Sequence, residues 1–181
     1  MTDAPAALLD FWFDELTPEQ WFRASDDVDA RLRERFASWP DSARDGRWDA
    51  WAATADGALA LVLALDQLPR NLYRGTAAAF AYDERARQVA RRAIGAGFDH
   101  DVAAERRVFF YLPFEHSEAL ADQDWSVALI AALGDDVYTD YAERHRDVIR
   151  RFGRFPHRNA SLGRPSTEAE KAYLAQPGAG F

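Results

Sequence analysis

Cysteine is absent from this 181-residue chain. Its absence excludes thiol nucleophiles, disulfides and thiolate-bound zinc or iron–sulfur centres, and it leaves the redox compartment open. Lysine is nearly absent too: Lys171 is the only one, so almost every cation is arginine. Arginine is the planar fork that reads carboxylate and phosphate, although genome composition alone gives the same bias. Long apolar runs are missing. The longest, Ala58 to Leu65, is far short of the ~20 residues a membrane span needs. The start, MTDAPAALLDFWFDE, has no basic leader region and turns acidic within fifteen residues. A cytoplasmic protein with no membrane partner is expected.

Composition otherwise describes an ordinary globular chain. It is 48% hydrophobic and 13% aromatic, too apolar for a disordered segment. Its length fits one domain, 1–181, which buries roughly two thirds of the unfolded surface without a metal or disulfide staple. The net charge of −8 is uneven. Arg144 to Arg164 holds seven Arg against the single acid Asp147, a local +6 that leaves about −14 on the remainder. An acidic body repels nucleic acid at long range, and the small basic island inside it suits a small anion better than a polymer.

No segment alternates with period two, and helical spacing runs almost throughout. Ala6 to Asp14 predicts a short aromatic helix. Ser25 caps a helix carrying Val28, Leu32, Phe36 and Trp39 on one side and stopping at Pro40. Ser42 to about Ala53 predicts a further helix with Trp48 and Trp51. Ala58 to Leu68 is apolar on every side, as a buried central helix would be, and Pro69 is expected to end it. Later helices are expected over 77–94, 103–112, 117–133 and 135–152, with Pro113 kinking or breaking its own. Thr167 and Glu170 form a capping box for the last. The fold class is all-α, with eight or nine helices in sequential antiparallel pairs and no clean 34-residue period.

Three stretches carry polar residues that a connecting loop does not need. In "LDQLPRNLYRG" (65–75), Asp66, Gln67, Arg70, Asn71 and Arg74 follow the most apolar helix. A buried guanidinium requires a partner: Asp66 with Arg70 is one reading, with Asn71 in a left-handed turn. In "YLPFEHSEAL" (111–120), His116 lies among Glu115 and Glu118, a pattern that fits a tuned proton carrier or simply a histidine at a helix junction. His-x-Glu is weak as a zinc pattern, so no metal is expected. In "GRFPHRNASLGRPSTEAE" (153–170), Arg154, His157, Arg158, Asn159 and Arg164 gather. The first and third stretches share Pro, an Arg-Asn pair and a Gly beside another Arg. Two such turns facing each other would clasp one anion; the alternative is that each arginine pairs with a local acid. His145 shares a helical stripe with Tyr138, Tyr141, Val148 and Phe152, which puts it on the buried face. The aromatic set Phe11, Trp12, Phe13, Trp21 and Phe22 is read as core, and His100 as a surface loop residue.

Five of these segments, "DFWF", "LALDQLPRNLYRG", "FFYLPFEHSE", "RFGRFPHRN" and "LGRPSTEAE", resemble in order and spacing a mostly bacterial family known as domain of unknown function 924. The resemblance covers about Leu8 to Leu174. It implies a tetratricopeptide-repeat-like right-handed array of helix pairs and brings no biochemical activity. The family's marked positions fall on Asp66, Gln67, Arg70, Asn71, Arg74, His116, Ser117, Glu118, Arg154, His157, Arg158, Asn159 and Arg164.

Three functions compete. The first is a pocket for a small carboxylate or phosphate, held by Arg70, Arg74, Arg154, Arg158 and Arg164 and oriented by Asn71 and Asn159. His116 or His157 would move protons there and Glu118 would set the tautomer, without a cofactor. Any covalent nucleophile would be Ser117 or a carboxylate, and no triad spacing supports one. The second is a module reading an acidic peptide. The third is a buried network that only specifies the fold. The oligomeric state is not encoded legibly.

Overall fold

Prolines mark several of the helix starts. In the computed structural model, which describes residues 4–180, Pro5, Pro18 and Pro40 lie in the first turns of α1 (Pro5–Asp10), α2 (Pro18–Phe22) and α4 (Trp39–Arg44). The missing N–H costs nothing there, because the first amides of a helix have no intrahelical partner. Met1 to Asp3, the start of the segment read for a leader, and Phe181 lie outside the described residues. Between these helices, α3 (Asp26–Phe36) opens on Ser25, whose hydroxyl accepts from the Val28 amide at 3.4 Å. The remaining helices are α5 (Ala55–Val62), α6 (Leu68–Leu72), α7 (Asp83–Gly95), α8 (Ala104–Glu115), α9 (Leu120–Ala131), α10 (Asp136–Phe152) and α11 (Glu168–Leu174). No strand occurs among the described residues, so the all-α expectation holds, and none of their helices is long and apolar enough to cross a membrane.

The described chain divides into two compact units. The first takes in residues up to Arg74 together with Ala78–Pro113; the second takes in Gly75–Ala77 and everything from Phe114 onward. In the first unit, the apolar run behaves as its composition requires. Residues 57–62 of α5 are all buried, and so are Leu63, Leu65 and Leu68 beyond it. Each such Leu or Val contributes about 1.5–3 kcal/mol by leaving water. Trp12, Phe13, Trp21 and Phe22 surround the Phe109 ring at 5.4–6.0 Å, which places the aromatic set in the core, with Phe22 half exposed at its rim.

Several boundaries differ from the sequence expectation, each for a local reason. Pro69 does not end its helix. A wider π-helical turn over Leu63–Gln67 passes the Leu63 carbonyl to the Leu68 amide, and α6 then continues through Pro69. The neighbouring carbonyls are taken by side chains: Arg70 Nη1 donates to the Asp66 carbonyl (2.7 Å) and Asn71 Nδ2 to that of Gln67 (3.0 Å). Asn71 is therefore helical, and Gly75 takes the left-handed conformation instead (φ 77°). Pro113 likewise sits inside α8, which runs on to Glu115; so near the C-terminus, the lost backbone bond is one of few. The helix expected over 42–53 is split. α4 stops at Arg44, and a short 3-10 turn over Asp49–Ala53 follows, with Trp48 and Trp51 stacked at 4.5 Å. The helix expected over 77–94 starts only at Asp83.

In the second unit, α9 and α10 pair across a short turn, α10 opening on Asp135, whose carboxylate accepts from the Val137 and Tyr138 amides. The Thr167–Glu170 capping box starts α11 as expected.

Candidate functional site

The first polar stretch is consumed by pairing inside its own unit. Arg70 lies 3.2 Å from Asp66 and forks onto Asp83 at 3.0 and 3.1 Å. Arg74 forks onto Asp29 at 3.1–3.2 Å and also donates to Asn71 Oδ1. Gln67 donates to Asp66. Asp66 is fully buried, and Asp29 and Asp83 nearly so.

The second and third stretches meet in the second unit. Arg164 forks onto Glu118 at 2.7 and 2.9 Å, donates to the Phe155 carbonyl, and donates through Nε to Asn159 Oδ1 at 3.0 Å. Glu118 also accepts from the Phe155 amide at 2.8 Å. Burial would raise the Glu118 carboxyl, but the Arg164 fork and the Phe155 amide outweigh it and hold the group below the usual range. Arg154 forks onto Glu170 at 2.7 and 2.9 Å. That pair, with the Thr167 amide, brings Glu170 down to about 2. Asn159, 1% exposed, donates to Ser166. Ser117 Oγ donates to Asp122 and accepts from the Ala119 amide, the role of a turn-closing hydroxyl at the start of α9.

Inside this frame lies a cluster centred on Phe155, which is fully buried. The His145 ring stands 5.7 Å from Phe155, the His157 ring 5.5 Å, and the Arg158 guanidinium lies 4.5 Å over its face. His116 reaches the same place from the end of α8, 6.4 Å from His145. Near the chain's end, Gly180 passes close enough that a Cβ there would stand 3.2 Å from His157 Cβ.

His145 and Glu115 are the members that sequence reasoning left outside the site. His145 Nδ1 faces two oxygens, the Tyr141 carbonyl at 2.8 Å and Glu115 Oε1 at 3.3 Å. The carbonyl can only accept, so Nδ1 carries the hydrogen and Nε2 is the basic nitrogen of the neutral ring. Burial lowers the His145 pKa to about 3; His116, His157 and Arg158 add to the lowering, and the Tyr141 bond opposes it. We take the neutral ring as the form at pH 7, because burial and three basic neighbours act against the imidazolium together. The signal for His145 was its place on the inner stripe of α10; for Glu115 it was a carboxylate only two residues past a proline. Among the described residues no group of three or more His, Asp or Glu is arranged to hold a metal ion.

Residues 8–178 match the family described as bacterial protein of unknown function (DUF924). The chain belongs to this family. It is also similar in structure to the protein of unknown function ATU0120 from Agrobacterium tumefaciens, with a TM-score of 0.91 and 43% identity over 94% of this chain and 96% of that one. No curated protein matches the chain. The matched region of this DUF924 protein contains every polar residue described above.

Proposed function

We propose that the second unit of this DUF924 protein binds a small carboxylate or phosphate at His116, His157 and Arg158, with His145 as the proton carrier. One observation carries the reading: His116 lies 6.4 Å from the buried His145 ring, and His157 and Arg158 pack with that ring around Phe155. Protonating that imidazole is costly while they surround it, and a guest anion relieves the strain of like charge. Arg154, Arg164, Asn159 and Glu118 then serve as the frame that fixes the bend at 153–164. In this reading the positioning carboxylate for a histidine is Glu115, at Nδ1 of His145, and any catalysis is acid–base exchange through Nε2.

Arg70, Asn71 and Arg74, expected at the ligand, fit better as structural residues, since each is engaged within the first unit. The tetratricopeptide-like module reading an acidic peptide would draw on solvent-facing arginines. Arg158 is 6% exposed, which favours a small guest over a peptide.

Thermal-shift titration with inorganic phosphate and acetate, on wild type and Arg158→Gln, tests the proposal. Saturating stabilisation of the wild type, weakened at least tenfold in the folded variant, is the expected result. Equal shifts in both proteins would refute it.

A further inference from the structure

Two side chains of α9, in the same unit as this cluster, belong to none of its charge pairs. Gln123 and Ser126 are both fully buried. Gln123 Nε2 donates to the carbonyls of Glu115 at 2.5 Å and Ser117 at 2.7 Å, on either side of His116. Those bonds fix the amide: its NH2 faces the end of α8, and Oε1 faces away from it. Among the described residues nothing hydrogen-bonds to that oxygen, nor to Ser126 Oγ one helical turn further on. A buried acceptor without a donor keeps its full desolvation cost, and two on one helix face call for an explanation.

Their level in the unit follows from α9 and α10. A short turn makes these helices antiparallel neighbours, and Asp124 reaches Arg146 at 3.5 Å and Arg150 at 3.4 Å. That register sets the inner positions 123 and 126 across from the inner positions of α10, which include His145 and Ile149. Gln123 thus sits at the Glu115 and Ser117 carbonyls that flank His116, and Ser126 lies on the α9 face that the register sets toward α10.

We propose that Gln123 Oε1 and Ser126 Oγ form the uncharged half of the binding site, accepting a hydrogen bond from a hydroxyl or amino group that the guest carries beside its anionic end. The guest class is then a small hydroxy- or amino-carboxylate, or its phosphate counterpart, rather than a simple anion. The inference rests on the anion reading above. Gln123 Oε1 can only accept, so the guest must donate; a guest without a donor leaves that oxygen as unsatisfied as before. Sites built around such groups discriminate against analogues that lack the donor.

Matched titrations of the full chain with glycolate and with acetate, followed by the imidazole resonances of His116 and His157, test this. In the wild type, glycolate should bind about tenfold more tightly than acetate. Ser126→Ala should reduce that ratio to under about threefold. Ser126→Cys, which keeps the volume with a weaker hydrogen-bonding group, should do the same if the alanine variant fails to fold. Equal wild-type affinities would overturn the inference, leave the anion reading intact and assign the two oxygens to an internal water. An undiminished ratio in a folded Ser126 variant would also overturn it. If neither carboxylate moves His116 or His157, the anion reading falls and this inference with it.

Discussion

In the first unit, Asn71 Oδ1 accepts from Arg74, and Arg74 forks onto Asp29; in the second, Asn159 Oδ1 accepts from Arg164, and Arg164 forks onto Glu118. Each motif stands beside a glycine in the left-handed conformation, Gly75 and Gly163. The surroundings separate them. Around Asn71, two arginines face three buried carboxylates, Asp29, Asp66 and Asp83, so the set is closed and slightly acidic. Around Asn159, Arg154, Arg158 and Arg164 stand with Glu115, Glu118 and Glu170, and three histidines are added. The same clasp therefore stands among buried carboxylates in one unit and beside a cluster of three histidines in the other, because what lies beyond the clasp differs.

The largest effect should come from breaking the first set. Arg70→Ala strands Asp66 and Asp83 in a buried environment and should cost about 3–5 kcal/mol in urea unfolding. A loss under about 1 kcal/mol would show that the first set is not structural and would erase the contrast.

The next effect is on pH dependence. His145 has its folded pKa at about 3, below the ordinary value of about 6.5. Between these values the unfolded state binds more protons, so stability is complete above about 6.5 and falls as pH drops. The slope should approach 1.4 kcal/mol per pH unit, to order of magnitude. His145→Gln should flatten the denaturation midpoint over pH 4–6; an unchanged slope would mean that the ring is charged in the folded protein.

The smallest effect sharpens the comparison without damage to either set. Inorganic phosphate should move the Arg158 Nε resonance and leave those of Arg70 and Arg74 within error. Movement of all three would make both clasps anion sites.

Much of the helical pattern could be read directly. Ser25, Asp135 and the Thr167–Glu170 box start the helices that they were expected to, or that lie one residue on, and the Asp66–Arg70 pair forms as its i,i+4 spacing allows. Pro69 does not end its helix because a proline's cost depends on who takes the released carbonyl, and Arg70, Asn71 and the π-helical turn supply that answer nearby; Pro113 sits two residues from the end of α8. Gln123 and Ser126 went unremarked although they share the spacing of buried Val127 and Ile130. Polar residues on an apolar stripe were the available sign.

Caps and periodicity depend on groups within about four residues of each other along the helix, so the sequence alone settled the helical class and the starts of α3, α10 and α11. Which carboxylate each arginine meets was decided elsewhere. Arg74 meets Asp29 across 45 residues and Arg164 meets Glu118 across 46. A charge's fate depends on the neighbours and the dielectric that surround it after folding, and those are properties of the packed chain.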